Sequence, residues 1–185
     1  MTLRNTTDRW GAVAQTFHWL IVALITLQVT LGNIAVRLPL GGKKVERFAQ
    51  HKSVGITILS LVVLRVLWRW ANPTPSLPGT LKPYERVLAH LTHAGLYILL
   101  FAMPLTGWMM TSARGFPASW FGLFQLPDFV PKNQTLYEVM KETHDLLALA
   151  LYAVVFLHVA AALKHHFLLK DEVLRRMLPF TKPTR

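Results

Sequence analysis

Eight histidines and no cysteine stand in this 185-residue chain, so imidazole carries most of its capacity for metal chemistry. Four of the eight, His18, His51, His144 and His158, fall in or beside long apolar runs. An ionisable side chain at membrane depth is costly unless it finds a partner, and a metal that takes the ring's lone pair is one such partner. His144 and His158 are fourteen residues apart. At 100° per residue this brings both within about 40° of one helix face, and at 1.5 Å per residue it separates them by about 21 Å. One planar cofactor near each membrane surface fits that separation. Neutral imidazole is a standard axial ligand of haem iron, and two imidazoles from facing helices give a low-spin centre suited to electron transfer. Without cysteine there is no thioether attachment, iron–sulfur cluster or disulfide, so any haem is a b-type group held by axial ligands and packing alone.

The elements that must position these rings are four apolar runs, each long enough to cross a hydrocarbon core about 30 Å thick, which takes roughly 20 helical residues. They are expected over 17–36, 52–70, 87–110 and 145–168. The chain is 52% hydrophobic and 16% charged, too apolar for an ordinary soluble domain. The fold class predicted is therefore an all-α integral membrane protein, a four-helix antiparallel bundle with two haems between the helices, formed by a single domain over 1–185. No segment has the layout of a cleavable signal peptide, so the first span is expected to stay in the mature chain. Arg65 and Arg69 close the second span and suit snorkelling to the headgroups. A Pro-rich link over 72–83 separates it from the third, where Pro104 and Gly107 predict a kink. The loop over 111–141, rich in Gly, Pro and aromatic residues, is expected to lie on the membrane surface.

Antiparallel order gives each histidine a depth. His51 and His144, just before the second and fourth spans, share the side opposite the termini, while His18 and His158 share a level on the terminal side. If metal is bound at each level, these are the two pairs that bind it. Ala14, Gly55, Ala148 and Ala162 stand one helical turn from the four rings and would leave room for a macrocycle, although small residues are common at helix contacts. His90 and His93 open the third span and could face haem propionates, a quinone or headgroups. His165 and His166 lie near water on the terminal side, where His165 could hydrogen-bond a quinone carbonyl. Zinc suits the deep pairs less well, because they lack further ligands to complete a tetrahedron.

The net charge of +11 comes from Lys and Arg gathered at the ends of apolar runs. That pattern points to a membrane surface and away from nucleic acid. Twelve of the twenty basic residues, Lys182 and Arg185 among them, lie on the terminal side and eight on the other. The bias puts both termini in the cytoplasm.

The segments FHWL at His18, HKSVGITIL at His51, LAHLTHAGLYILL, GWMMTSARG and ETHDLLALALYAVVFLHVAAALKHHF resemble the bacterial cytochrome b561 family over nearly the whole chain. The resemblance is to its small four-helix di-haem members, which act as superoxide:ubiquinone oxidoreductases of the inner membrane. It implies one haem b between His18 and His158 on the cytoplasmic side and another between His51 and His144 on the periplasmic side. It also implies that superoxide gives its electron to the periplasmic haem, from which the electron reaches ubiquinone through the second. Arg114, in the matched GWMMTSARG segment, would then attract the anion, helped by other basic residues on that side. Two further functions fit the residues. One is an electron-relay subunit between the quinone pool and a periplasmic redox partner or dehydrogenase. The other is a non-redox transporter or scaffold, which a reduced-minus-oxidised spectrum would separate from both haem readings.

Overall fold

The structure, a computed structural model, describes residues 2–79 and 81–181; Thr80, Lys182 and Arg185 lie outside them. Four long helices dominate: α1 Ala12–Arg37, α2 Gly42–Trp70, α3 Pro83–Arg114 and α4 Gln134–Leu163. All four are long and apolar enough to cross a membrane. Their large apolar side chains, among them Leu27, Ile34, Leu64, Ile98, Leu149 and Phe156, are exposed outward, as lipid contact requires. Most polar residues within the helices are satisfied by their own backbone. Thr26, Thr30, Ser60 and Thr111 each donate to the carbonyl four residues earlier, as does the Asn33 amide.

The helices run further than the apolar runs predicted, because their polar ends are also helical. α2 begins ten residues before position 52, through a stretch of Lys, Arg, Glu and Gln in which Gln50 Nε2 donates to Glu46 Oε1. Lys44 Nζ donates to the carbonyls of Val36 and Leu38 and so covers the end of α1. α3 opens with Pro83 at its first position, while Glu85 accepts from the Lys82 amide. The helix continues through Pro104. It stops at Gly115, whose φ of 77° reverses the chain, while Phe116 N–H reaches back to Thr111 and Gly115 N–H to Ser112. α4 begins eleven residues before position 145, where Asn133 Oδ1 accepts from the Leu136 amide as an N-cap. His51 and His144 consequently lie well inside helices and not just before them. α4 ends in a π-helical turn, Lys164–Leu168.

The contacts divide the chain into two compact units of interleaved segments. The first comprises 1–20, 63–98 and 151–185, and the second comprises 21–62 and 99–150. In the first, the buried Asn5 ties the N-terminal segment together by donating to the Pro73 carbonyl and accepting from Gly11. Gly11 must be glycine, since a Cβ there would sit 2.4 Å from the Leu3 carbonyl oxygen. The C-terminal segment is fastened to the start of α1: Gln15 donates to Arg176 O and Trp19 Nε1 to Met177 O.

In the second unit, the loop after α3 carries a two-stranded hairpin, β1 Ala118–Trp120 and β2 Phe124–Leu126, paired antiparallel. The sequence reading did not foresee it. Its turn uses positive φ at Phe121 (48°) and Gly122 (75°). The hairpin is pinned to α2: Trp120 Nε1 donates to Thr57 Oγ1, the Phe121 amide to Ser53 Oγ, and Ser53 Oγ to the Ser119 carbonyl.

Candidate functional site

Each unit holds one of the histidine pairs. In the second unit the His51 and His144 ring centroids are 6.4 Å apart with planes at 73°; in the first, His18 and His158 are 6.2 Å apart with planes at 68°. A metal–nitrogen bond of about 2.0 Å, with the ring centre roughly 1.15 Å behind the nitrogen, puts two trans imidazoles about 6.3 Å apart. Both pairs have that spacing, and rings sharing one axis through a metal are free to take any angle between their planes. All four rings are half-buried.

The surroundings of the His51 and His144 pair settle which nitrogen is offered. His51 Nδ1 lies 3.1 Å from the Gln28 carbonyl oxygen, which only accepts, so Nδ1 carries the proton and Nε2 the lone pair. That lone pair receives the Gln28 side-chain amide at 3.2 Å. The Gln28 Oε1 is buried with no partner among the described residues, so this amide is a poor permanent occupant of the position. His144 Nδ1 lies 3.1 Å from Thr106 Oγ1. The Thr106 hydroxyl proton is taken up by the Ala102 and Met103 carbonyls, at 2.8 and 3.0 Å, so its oxygen accepts from His144. Both rings thus carry the lone pair on Nε2, with Nδ1 donating to an acceptor.

Two glycines clear these rings. A Cβ at Gly32 would lie 3.1 Å from His51 Cε1, and one at Gly107 would lie 3.2 Å from His144 Cε1. A Cβ at Gly55, expected to leave room beside a ring, would lie 3.1 Å from the Gln28 amide nitrogen. Gln28, Thr106 and Gly32 were not singled out in the sequence, and Gly107 was read there only as part of a kink. Gln28 was nevertheless visible as a polar residue within the first span, and its neighbours Thr26, Thr30 and Asn33 are satisfied by α1 itself.

The His18 and His158 pair has a different surround. Arg65 Nη1 donates to His18 Nδ1 at 3.2 Å, and Arg65 Nε donates to Tyr97 OH at 3.3 Å. Arg65 is half-buried and turned toward the rings, not outward to headgroups; Arg69 lies with its guanidinium 5.8 Å from the Trp10 ring centre. His93 is 5.4 Å from His158, centroid to centroid, and exposed, as is His90. His165 Nδ1 is 2.5 Å from Asp171 Oδ2, and His166 Nδ1 is buried without a partner among the described residues. Arg114 is exposed at the end of α3, with Nη1 donating to Gln134 Oε1 at 2.9 Å and its guanidinium 4.5 Å from the Tyr137 ring centre. Among the described residues, no three His, Asp or Glu side chains converge as ligands for a bare metal ion.

Four helices long and apolar enough to span a membrane make this a multi-pass membrane protein, and its two histidine pairs have a spacing that suits an iron held between them. Residues 9–180 match the family described as prokaryotic cytochrome b561, and the chain belongs to that family. Membership implies b-type haem and electron transfer in the membrane. Similar proteins include cytochrome b561 homolog 2 of Escherichia coli (strain K12), 34% identical over 96% of this chain and 95% of that one. The probable superoxide oxidase CybB of Yersinia pestis is 36% identical over 88% and 91%. Cytochrome b561 homolog 1 of Escherichia coli (strain K12) is 27% identical over 95% and 99%.

Proposed function

We propose that this cytochrome holds two haems b, one between His18 and His158 and one between His51 and His144, and oxidises superoxide while reducing ubiquinone. The observation that carries the haem assignment is the paired spacing of 6.2 and 6.4 Å. Bound haem supplies a reversible one-electron iron centre. The chain's own part is to offer Nε2 at His51 and His144, with the Gln28 carbonyl and Thr106 hydroxyl holding the opposite ring protons. The overall reaction takes one electron from each of two superoxide ions, giving two O2, and delivers both electrons with two protons to one ubiquinone, giving ubiquinol. The likeness to a probable superoxide oxidase supports this reading. Arg114 and the basic residues near it supply the field that would gather a small anion. His165, buttressed by Asp171, is the candidate contact for a quinone carbonyl. The basic-residue bias supports a place in the bacterial inner membrane with both termini in the cytoplasm.

Haem content tests the assignment. The purified protein is expected to hold two haems per chain, and His144→Ala to lose one and keep the other; a variant that retains both removes His144 from the ligand set. With haem fully loaded, the absence of quinone-dependent superoxide consumption would sink the activity. The electron-relay reading has its own support, because two of the similar proteins carry a cytochrome name with no substrate in it. Co-purification of a dehydrogenase or a c-type cytochrome would favour it.

A further inference from the structure

We infer that Arg65 and Arg69 receive a propionate carboxylate of the haem between His18 and His158, with the Trp68 indole N–H as a further donor. This rests on the haem assignment above. Residues 65, 68 and 69 recur on one face of the last turns of α2. Arg65, Trp68, Arg69, Trp10 and Tyr97 line a cavity of about 20 Å³ in the first unit, room for a single oxygen atom of a water or a carboxylate. Its walls hold a surplus of donors. Trp68 Nε1 is buried with no partner among the described residues. Asn5, which also borders the cavity, has its amide committed to Pro73 and Gly11. Tyr97 OH already accepts from Arg65. Among the described residues neither arginine forms an ion pair. Two guanidinium charges at the end of an apolar span without a carboxylate are costly, and an acceptor is what the site lacks.

The Arg65 contact with His18 leads to the same conclusion. Arginine only donates, so the 3.2 Å contact needs a lone pair at His18 Nδ1. When Nε2 of a neutral imidazole binds iron, Nδ1 carries the proton. Arg65 must then release the ring, and the carboxylate arriving with the haem is the acceptor it can turn to. Charge-assisted pairing of guanidinium with carboxylate is strong and directional. A phospholipid phosphate has the same acceptor chemistry, so the test separates the two sources.

The experiment is a redox titration of the full-length protein in phospholipid-free detergent, following the haem that His158→Ala removes. Removing a neighbouring positive charge favours the oxidised iron. R65Q and R69Q together are therefore expected to shift the oxidised-to-reduced ratio at fixed potential about tenfold, or about 59 mV for one electron. The other haem is expected to stay unchanged. The propionate bending band in the resonance Raman spectrum should move in R65Q, whereas R65K, which keeps the charge and guards against misfolding, should hold the potential near that of the parent. Unchanged potentials and an unmoved band, with both haems present, would overturn the inference. So would a shift seen only after phospholipid is added, which would give the arginines to lipid phosphate. If His158→Ala removes no haem, it is the haem assignment that fails.

Discussion

A histidine binds iron well through one nitrogen when the other is held as a donor, and at His144 that holding falls to Thr106. Replacing Thr106 by valine keeps the side-chain volume but takes away the acceptor 3.1 Å from Nδ1. Thr106→Val is therefore expected to weaken binding of the haem at the His51 and His144 pair by about tenfold or more, while Thr106→Ser retains it. Haem titration of the apoprotein reads this directly, and equal affinities for the two variants would show that the hydroxyl plays no part. The four ligand candidates themselves were legible in the sequence, because imidazole at membrane depth has few bland explanations. Their supporting groups were not. Thr106 looks like any span threonine that bonds its own backbone, as it does to Ala102, and only the approach of α4 to α3 reveals its second bond. Arg65 was hidden for a similar reason: a basic residue near a helix end suits a headgroup equally well until Tyr97 and His18 are seen to stand beside it.

The apolar runs identified all four helices but underestimated their length, because hydropathy marks what lipid covers and not where helical hydrogen bonding ends. The caps were written in the sequence as Pro83, Asn133 and Gly115, each a residue type that favours its terminus. The hairpin over 118–126 was less legible, since its anchors, Ser53 and Thr57, lie more than sixty residues away. Gly115 offers a test at this scale. Its φ of 77° lies in the left-handed region, and an added Cβ would also crowd the flexible Lys132 side chain. Gly115→Ala is expected to cost about 1–2 kcal/mol. For a chain of this size that lowers Tm by roughly 2–8 °C. Haem content should stay at the parent value, since Gly115 touches neither histidine pair. Thermal unfolding in detergent, followed in the amide circular dichroism, measures the change; an unchanged Tm would mean that the turn tolerates a side chain there.

For the whole molecule, the proposed activity is directional, and direction is set by charge. In the proposed orientation, which rests on twelve basic residues counted on the terminal side against eight opposite, the termini face the cytoplasm and superoxide meets the His51 and His144 pair from the periplasm. In that proposal Arg114 adds to the attracting field, and in the structure its guanidinium is shared with Gln134 and Tyr137. Superoxide is a small anion that crosses a hydrocarbon core poorly, so the side on which it is made decides whether it reaches its site. Right-side-out and inverted vesicles carrying the haem-loaded protein and ubiquinone should therefore differ. Superoxide generated outside is expected to be consumed rapidly by the first and slowly by the second. In right-side-out vesicles, Arg114→Gln should slow consumption modestly and flatten its dependence on salt, because a single surface charge acts on the encounter rate and is screened over about 10 Å at 0.1 M salt. Equal rates in both vesicle types would reject the sidedness. A salt dependence unaltered in the variant would remove Arg114 from the attracting field and leave that role to other basic residues on the same face.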